Sequence, residues 1–155
     1  MVRRSRKNNY KKKDFFDALD MSLFNSSSPS CPHFFDCGGC RFQNISYADQ
    51  LLIKKNYLET LAFKDINILA SSQELGYRNR MDFLFNDGFF CLRQKGAFDK
   101  LVPLRSGCLL VPSQFQKIVF AIQNILASAD ISSYDVVLKK GFLRYVTFRF
   151  GVNTN

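Results

Sequence analysis

The fold of this chain depends on a short cysteine-rich stretch, CPHFFDCGGC, which occupies residues 31–40. It places Cys31, Cys37 and Cys40 close together, and two glycines separate the last pair. A fourth cysteine, Cys108, follows Gly107 far downstream. Cysteines grouped this tightly, behind an N-terminus that does not read as a secretory signal, are more often metal or cluster ligands than disulfide partners. We therefore expect four thiolates from two distant segments to converge on one site.

Spacing alone leaves the bound group open. In an iron–sulfur site a short loop can supply three thiolates, and folding must bring the fourth. Structural zinc also takes four cysteines, although roughly two to four residues normally separate its paired ligands, fewer than separate Cys31 from Cys37. A disulfide would need an oxidising compartment, which the N-terminus does not indicate. From the residues themselves, iron–sulfur and zinc are weighted about equally.

Two further residues near this pattern are assigned structural roles. Cys91 lies in a predicted strand among phenylalanines and leucine, where a buried cysteine behaves as a small hydrophobic side chain. His33 is the only histidine and stands between the first two cysteines. It is an alternative zinc ligand, but four cysteines already complete a tetrahedral set, so we expect it to pack beside the site.

The positive charge is concentrated at the N-terminus. The 155 residues have a formal net charge of +9, and seven basic side chains with no acid lie in residues 1–13, leaving 15 basic and 13 acidic residues elsewhere. Basic arms of this kind commonly bind nucleic-acid phosphate. We predict a disordered basic arm and linker over residues 1–30 and one compact domain over residues 31–155. No apolar run approaches the roughly 18 residues of a membrane span, and acidic residues interrupt any signal-peptide core, so the prediction is cytoplasmic.

Hydrophobic periodicity predicts an α+β fold, with antiparallel hairpins packed against two main helices around the four-cysteine site. Helices are expected over residues 14–24, from a Ser46 cap to about residue 63, and from Pro112 to about Ser128. Strands are expected over residues 66–70, 77–85, 89–93, 101–104, 134–138 and 143–150. In the strand 77–85, Tyr77, Phe83 and Phe85 are predicted to face the core, with Arg78 and Arg80 on the other side.

Several segments together resemble one known family. Residues 31–40, the segment QNISY at 43–47 with Gln50, and GYRNRMDF at 76–83 closely resemble the iron–sulfur segment of bacterial and archaeal RNA uracil-5-methyltransferases. Cys108, with Pro112 four residues later, matches the fourth ligand segment of that family. The resemblance covers about residues 31–153.

The resemblance implies a 4Fe-4S cluster held by Cys31, Cys37, Cys40 and Cys108, in a domain that helps to grip RNA. It implies methylation of a uridine C5 in 23S rRNA or tRNA from S-adenosylmethionine. In the family, the cofactor-binding domain, nucleophilic cysteine and general base lie downstream of the matched segment. We therefore expect no catalytic residue here, and a chain that is truncated or completed by a separate polypeptide.

Four basic residues are candidates for RNA contact: Arg78, Arg80, Arg41 and Lys95. The competing interpretation is a local ion pair between Arg80 and Asp82, worth roughly 0–1 kcal/mol when exposed. Two other functions remain open, a stand-alone RNA-binding module stabilised by zinc or a cluster, and an electron carrier.

Overall fold

The computed structural model describes residues 19–151, which form one antiparallel sheet with two helices. The elements are α1 (Tyr47–Thr60), β1 (Arg80–Asn86), β2 (Phe89–Arg93), β3 (Leu101–Pro103), α2 (Ser113–Ser128) and β4 (Tyr145–Arg149). The strand order is β3-β2-β1-β4, and every neighbouring pair is antiparallel. This is the predicted α+β arrangement of hairpins and two main helices.

A two-residue turn joins β1 to β2. Asp87 and Gly88 both have positive φ angles, 50° and 78°, as a type I′ hairpin turn requires. The turn sets the register, in which Phe85 lies opposite Phe90 and Leu84 opposite Cys91. Because side chains alternate along a strand, this register places the phenylalanines on one face of the sheet and Cys91 on the other.

The core lies between one face of the sheet and α2. The phenylalanine rings of β1, β2 and β4 meet there, with Phe90 centred 5.3 Å from Phe83 and 5.5 Å from Phe148. A buried hydrogen bond joins helix to sheet, since the Phe90 N–H donates to Gln123 Oε1 at 2.8 Å. Cys91 is fully buried, which confirms its structural assignment.

Helix α2 follows the sequence prediction with two differences. Pro112 is the N-cap residue instead of lying within the first turn. Val119, Ile122 and Leu126 pack on the core, whereas Ile118 and Ile125 are more than half exposed although both follow the apolar period. The apolar stripe of this helix is therefore wider than the surface that the sheet covers.

Helix α1 begins where the sequence predicts and is held mainly at its start. The Ser46 hydroxyl accepts a hydrogen bond from the Asp49 N–H at 3.1 Å, which confirms the cap. Ile53 is the only residue of the helix that is buried. The predicted apolar face is thus largely solvent-accessible, and the helix ends at Thr60, before Ala62 takes a positive φ of 66°.

Other expectations about secondary structure are wrong. Residues 66–70 form no strand, and 134–138 contribute only isolated bridges at Ser133–Leu143 and Asp135–Lys140. β1 starts at Arg80, so Tyr77 and Arg78 precede it, and Tyr77 is 55% exposed instead of buried in the core. Alternating hydrophobicity predicted these strands, but without a neighbouring backbone to pair with, an extended segment does not become part of a sheet.

The N-terminal predictions are tested only in part. The predicted helix over 14–24 lies partly outside the described residues, and its described portion holds a 3₁₀ turn at Met21–Leu23. Residues 25–27, assigned to the linker, pair with residues 44–46, since the Ser27 N–H donates to the Asn44 carbonyl at 2.9 Å. Within residues 19–151, no helix has the length and apolar character to cross a membrane.

Candidate cluster site and nucleic-acid interface

The cysteine loop docks on the end of β2. The Gly38 N–H donates to the Arg93 carbonyl at 2.9 Å, and the Lys95 N–H donates to the Asp36 carbonyl at 2.8 Å. A Cβ added at Gly38 would lie 3.2 Å from the Arg93 oxygen, so a side chain there would press against backbone. The double glycine therefore allows the loop to pair closely with the sheet.

The second cysteine segment is held at a sharp corner by α2. Gly107 has a φ of 77°, and an added Cβ would lie 2.7 Å from Gln116 Oε1. Gln116 Nε2 donates to the Cys108 carbonyl at 2.7 Å. A contact also ties the two cysteine segments together, because the Ser106 N–H donates to His33 Nε2 at 3.4 Å. His33 packs beside the site, as expected.

All four predicted cysteines line one small cavity. Cys31, Cys37, Cys40 and Cys108 surround it, together with Phe34, Leu92, Leu104 and Leu110 among its apolar walls. Its volume of about 10 Å³ is close to that of one water-sized sphere. In residues 19–151, no group of three or more cysteine, histidine or acidic side chains is arranged to hold a single metal ion. Four cysteines could supply four thiolate ligands to one bound group. Their positions do not match the coordination of a single metal ion.

Burial governs the chemistry of these thiols. Desolvation is the main cause that raises the pKa of Cys108 to about 11, and the charges of the neighbouring Cys40, Cys37 and Cys31 contribute to that rise. Burial likewise raises the pKa of Cys37 and of Cys40. Three of the four groups are therefore thiols at neutral pH, and any group that they ligate must displace protons.

Gln43 connects two of the cysteines directly. Its Oε1 accepts from the Cys31 N–H at 3.2 Å, and its Nε2 donates to Cys40 Sγ at 3.2 Å. The Gly39 N–H also donates to Cys37 Sγ, at 3.3 Å. Hydrogen bonds to sulfur favour the charged form, and they lower the pKa of Cys40 and Cys37 against the effect of burial.

The face of the sheet opposite α2, which we call the outer face, is basic and aromatic. Across β1 and β4 it pairs Arg80 with Arg149, Asp82 with Thr147 and Leu84 with Tyr145, and of these six residues only Leu84 is buried. Asp82 accepts from Thr147 Oγ1 at 2.6 Å and from Arg80 Nε at 3.1 Å. These hydrogen bonds lower the pKa of Asp82, first through Thr147 and then through Arg80.

A groove of about 620 Å³ runs along the outer face beside the cysteine loop; we call it the sheet groove. Arg93 forms its centre, because its guanidinium lies 3.8 Å from the Phe98 ring centroid and donates to Tyr145 Oη at 3.2 Å. That hydrogen bond lowers the pKa of Tyr145. Phe98 is 67% exposed, so an aromatic face is held in place and open to solvent.

The four basic residues predicted from sequence occupy different positions. Arg78 lines the sheet groove, and its charge favours the thiolate of Cys40. Arg80 forms the exposed ion pair with Asp82, as the competing interpretation had it. Arg41 lines a separate pocket, and Lys95 Nζ lies 5.9 Å from the Phe34 ring centroid.

Sequence reasoning missed Arg93, Phe98 and Tyr145. Arg93 stands at the end of a strand that the sequence does predict, so alternation with the core residues Phe90 and Leu92 could have placed it on the outer face. Tyr145 is far away in the chain and joins the groove only through the register of β4 with β1. No sequence signal pairs these two residues.

The separate pocket, which we call the α1 pocket, lies between α1 and the segment before β1 and has a volume of about 270 Å³. It shares Gly39 and Cys40 with the walls of the cysteine cavity. Its other lining side chains are mostly polar or aromatic: Ser27, Ser28, Ser30, Arg41, Phe42, Gln43, Tyr47, Gln50, Lys54, Glu74 and Tyr77.

Several known proteins are similar to this chain in sequence or in structure. No model of a known protein family matches it. It is 34% identical over 148 residues to an uncharacterized RNA methyltransferase of Caldanaerobacter subterraneus, covering 88% of this chain and 32% of the relative. Its relatives are RNA methyltransferases. An uncharacterized RNA methyltransferase of Nanoarchaeum equitans is 30% identical, covering 97% of this chain and 33% of the relative.

More specific names occur among the other relatives. The tRNA (uracil(54)-C(5))-methyltransferase of Pyrococcus furiosus is 29% identical, covering 78% of this chain and 29% of the relative. The crystal structure of the Pyrococcus abyssi tRNA (uracil-54, C5)-methyltransferase with S-adenosyl-L-homocysteine shares the fold, with a TM-score of 0.63 at 24% identity. The match covers 74% of this chain and 28% of that one. The chain thus spans about a third of the length of the curated relatives that it matches.

Proposed function

We propose that this chain is the cluster-binding, RNA-contacting part of an S-adenosylmethionine-dependent RNA uridine C5-methyltransferase. The observation that carries the proposal is the convergence of Cys31, Cys37, Cys40 and Cys108 on one cavity, from segments about seventy residues apart. The relatives named as RNA methyltransferases support the same assignment.

The four cysteines would hold a 4Fe-4S cluster. A cubane spreads its four thiolate ligands over four irons, so its ligands need not gather around one ion. All four cysteines line one cavity, which supports this proposal. The cluster would supply a covalent cross-link between the two cysteine segments, and its binding energy would add to the stability of the fold.

The protein groups around the cavity support that role. Gln43 and the Gly39 N–H donate to two of the sulfurs, which stabilises thiolate ligands and adjusts a cluster's reduction potential. The wall is otherwise mainly apolar, with Phe34, Leu92 and Leu110. A structural role follows from this location, at the junction of the loop and the sheet.

RNA would contact the outer face beside the cluster. Arg78 and Arg149 supply charge for phosphates, and Phe98 and Tyr145 supply rings on which unpaired bases can stack. Arg93 orients both rings, so it acts chiefly as a positioning residue. Lys95 and Arg41 extend the positive surface around the cysteine loop.

The methyl-transfer chemistry would come from outside residues 1–155. Cys91, the one cysteine away from the cavity, is fully buried with a pKa raised by burial to about 11, so it is a poor nucleophile. S-adenosylmethionine, the target uridine in rRNA or tRNA, and the catalytic groups would therefore belong to a further domain or a separate polypeptide.

Anaerobic reconstitution with iron and sulfide tests the cluster. We expect a brown protein with about four irons per chain, and loss of iron in Cys108→Ser. Cys91→Ser is the matched control. Because Cys91 is buried away from the cavity, this variant should retain its iron. A colourless protein that binds one zinc would contradict the cluster and indicate a zinc site. Equal iron content in Cys108→Ser and Cys91→Ser would contradict the assignment of Cys108 as a ligand.

The salt dependence of RNA binding tests the proposed contact between RNA and the outer face. Arg78→Ala is expected to weaken binding and to flatten its dependence on salt. Arg80→Ala should have a smaller effect, because Arg80 already pairs with Asp82. If the wild-type protein and Arg78→Ala bind RNA with equal affinity, Arg78 does not contact the RNA.

A further inference from the structure

We propose that the α1 pocket binds one unpaired nucleotide of RNA. The inference rests on the RNA-contacting function proposed above and adds a specific site to it. The lining of the pocket combines three aromatic rings, two cationic side chains and several hydrogen-bonding groups.

The size of the pocket suits a single nucleotide. Its volume of about 270 Å³ is slightly below the roughly 300–1,000 Å³ range of drug-sized ligand sites, as expected for a ligand as small as one nucleotide. The sheet groove is more than twice as large and suits a length of strand. A base turned out of its stack needs this kind of small recess, with polar groups at the edges of the ring and an aromatic surface beside it.

Tyr77 supplies the aromatic surface. Its ring is 55% exposed, although hydrogen bonds fix the backbone on both sides of it. The Gly76 N–H donates to the Leu109 carbonyl at 2.8 Å, and the Arg78 N–H donates to the Leu110 carbonyl at 3.0 Å. An aromatic ring held outward by a fixed backbone loses little conformational entropy when a base stacks on it.

The charges in the pocket suit a phosphate and a base edge. Lys54 and Arg41 line it, so the pocket wall carries positive charge that attracts a backbone phosphate. Glu74 lines the same pocket, and its carboxylate can accept hydrogen bonds from the ring N–H or amino groups of a base. Ser28 and Ser30 add hydroxyl groups that can donate or accept.

The two RNA surfaces are continuous across the cysteine loop. Gly39 lines the α1 pocket, the cysteine cavity and the sheet groove. A Cβ at Gly38 would point at the Arg93 carbonyl and one at Gly39 at the Leu92 side chain, so the missing side chains serve the packing of the loop on the sheet. Because Gly39 lines both the sheet groove and the α1 pocket, a strand in the groove that continues past Gly39 places its next base against Tyr77.

Binding by the full 155-residue chain to two labelled RNAs tests the proposal: a single-stranded oligouridylate of about ten nucleotides and a fully paired duplex of the same length. Tyr77→Ala should weaken binding to the single strand roughly 5- to 150-fold, the range for stacking one base. Tyr77→Phe, which keeps the ring, should bind like the wild type. Phe142→Ala, which removes an exposed ring outside the pocket, is the matched control.

Two additional measurements separate the pocket from general RNA affinity. Lys54→Ala should weaken single-strand binding, whereas Lys117→Ala on α2 should not. Oligouridylate carrying 4-thiouridine should crosslink to the peptide containing Tyr77. Salt-sensitive RNA binding that is unchanged in Tyr77→Ala and Lys54→Ala would overturn the nucleotide pocket while leaving the RNA-contacting function intact. A wild-type chain that binds neither RNA would overturn both.

Discussion

Gln43 offers a direct test of how the cysteine loop is held together. Gln43→Ala removes the bond from the Cys31 N–H and the bond to Cys40 Sγ, each 3.2 Å long. A neutral hydrogen bond contributes roughly 0.5–1.5 kcal/mol, and sulfur is the weaker acceptor. We therefore expect the metal-free protein to lose about 1.5 kcal/mol of unfolding free energy, or roughly 3–6 °C in Tm for a chain of this size.

The loss should be larger when the cysteines carry a bound group. Coordination makes Cys40 a thiolate, and hydrogen bonds to charged groups contribute roughly 1.5–3 kcal/mol. Gln43→Ala should then release iron faster than the wild type. Gln43→Glu keeps an acceptor for the Cys31 N–H but replaces the donor to sulfur with a negative charge, so it should release iron at least as fast.

The assay is denaturant unfolding of the metal-free chain, together with the rate of iron release from the reconstituted chain. Gln114→Ala is the matched control, because Gln114 is an exposed glutamine outside the site, and surface substitutions usually change stability by about 0.5 kcal/mol or less. The reasoning is refuted if Gln43→Ala is no less stable than Gln114→Ala without metal and retains iron equally well.

Three further outcomes are expected. Gly107→Ala should lose roughly 2–4 kcal/mol of unfolding free energy, because φ is 77° and the new Cβ would lie 2.7 Å from Gln116 Oε1; an unchanged urea midpoint would contradict that corner geometry. Gln123→Leu leaves the buried Phe90 N–H unpaired and should cost roughly 1–3 kcal/mol, measured in the same way. Hydrogen bonds lower the pKa of Asp49 below its usual 3.8, so its contribution to stability is present above that pH and is lost as the pH falls through the lower folded value. Asp49→Asn should therefore narrow the difference in Tm between pH 7 and pH 3, and an equal difference in both proteins would count against the hydrogen bonds that Asn25 and Ser46 donate to the Asp49 carboxylate.

The elements with strong local signals were predictable from sequence. Asp87-Gly88 indicates the β1–β2 turn, because two successive positive φ angles favour these residues. Ser46 marks the start of α1, and the apolar period indicates α2. The strands predicted over residues 66–70 and 134–138 were wrong. The hydrophobicity of these segments indicates an extended chain, but it does not supply a neighbouring strand to pair with.

The sequence by itself determined which residues could serve as thiolate ligands and where the hairpin and α2 would form, since local conformation and residue chemistry act over a few positions. Only the tertiary structure decided that Cys108 lines the cavity of Cys31, Cys37 and Cys40, and that Tyr145 meets Arg93. These contacts join segments far apart in the chain. Their geometry depends on strand register and on the packing of α2, which no local pattern encodes.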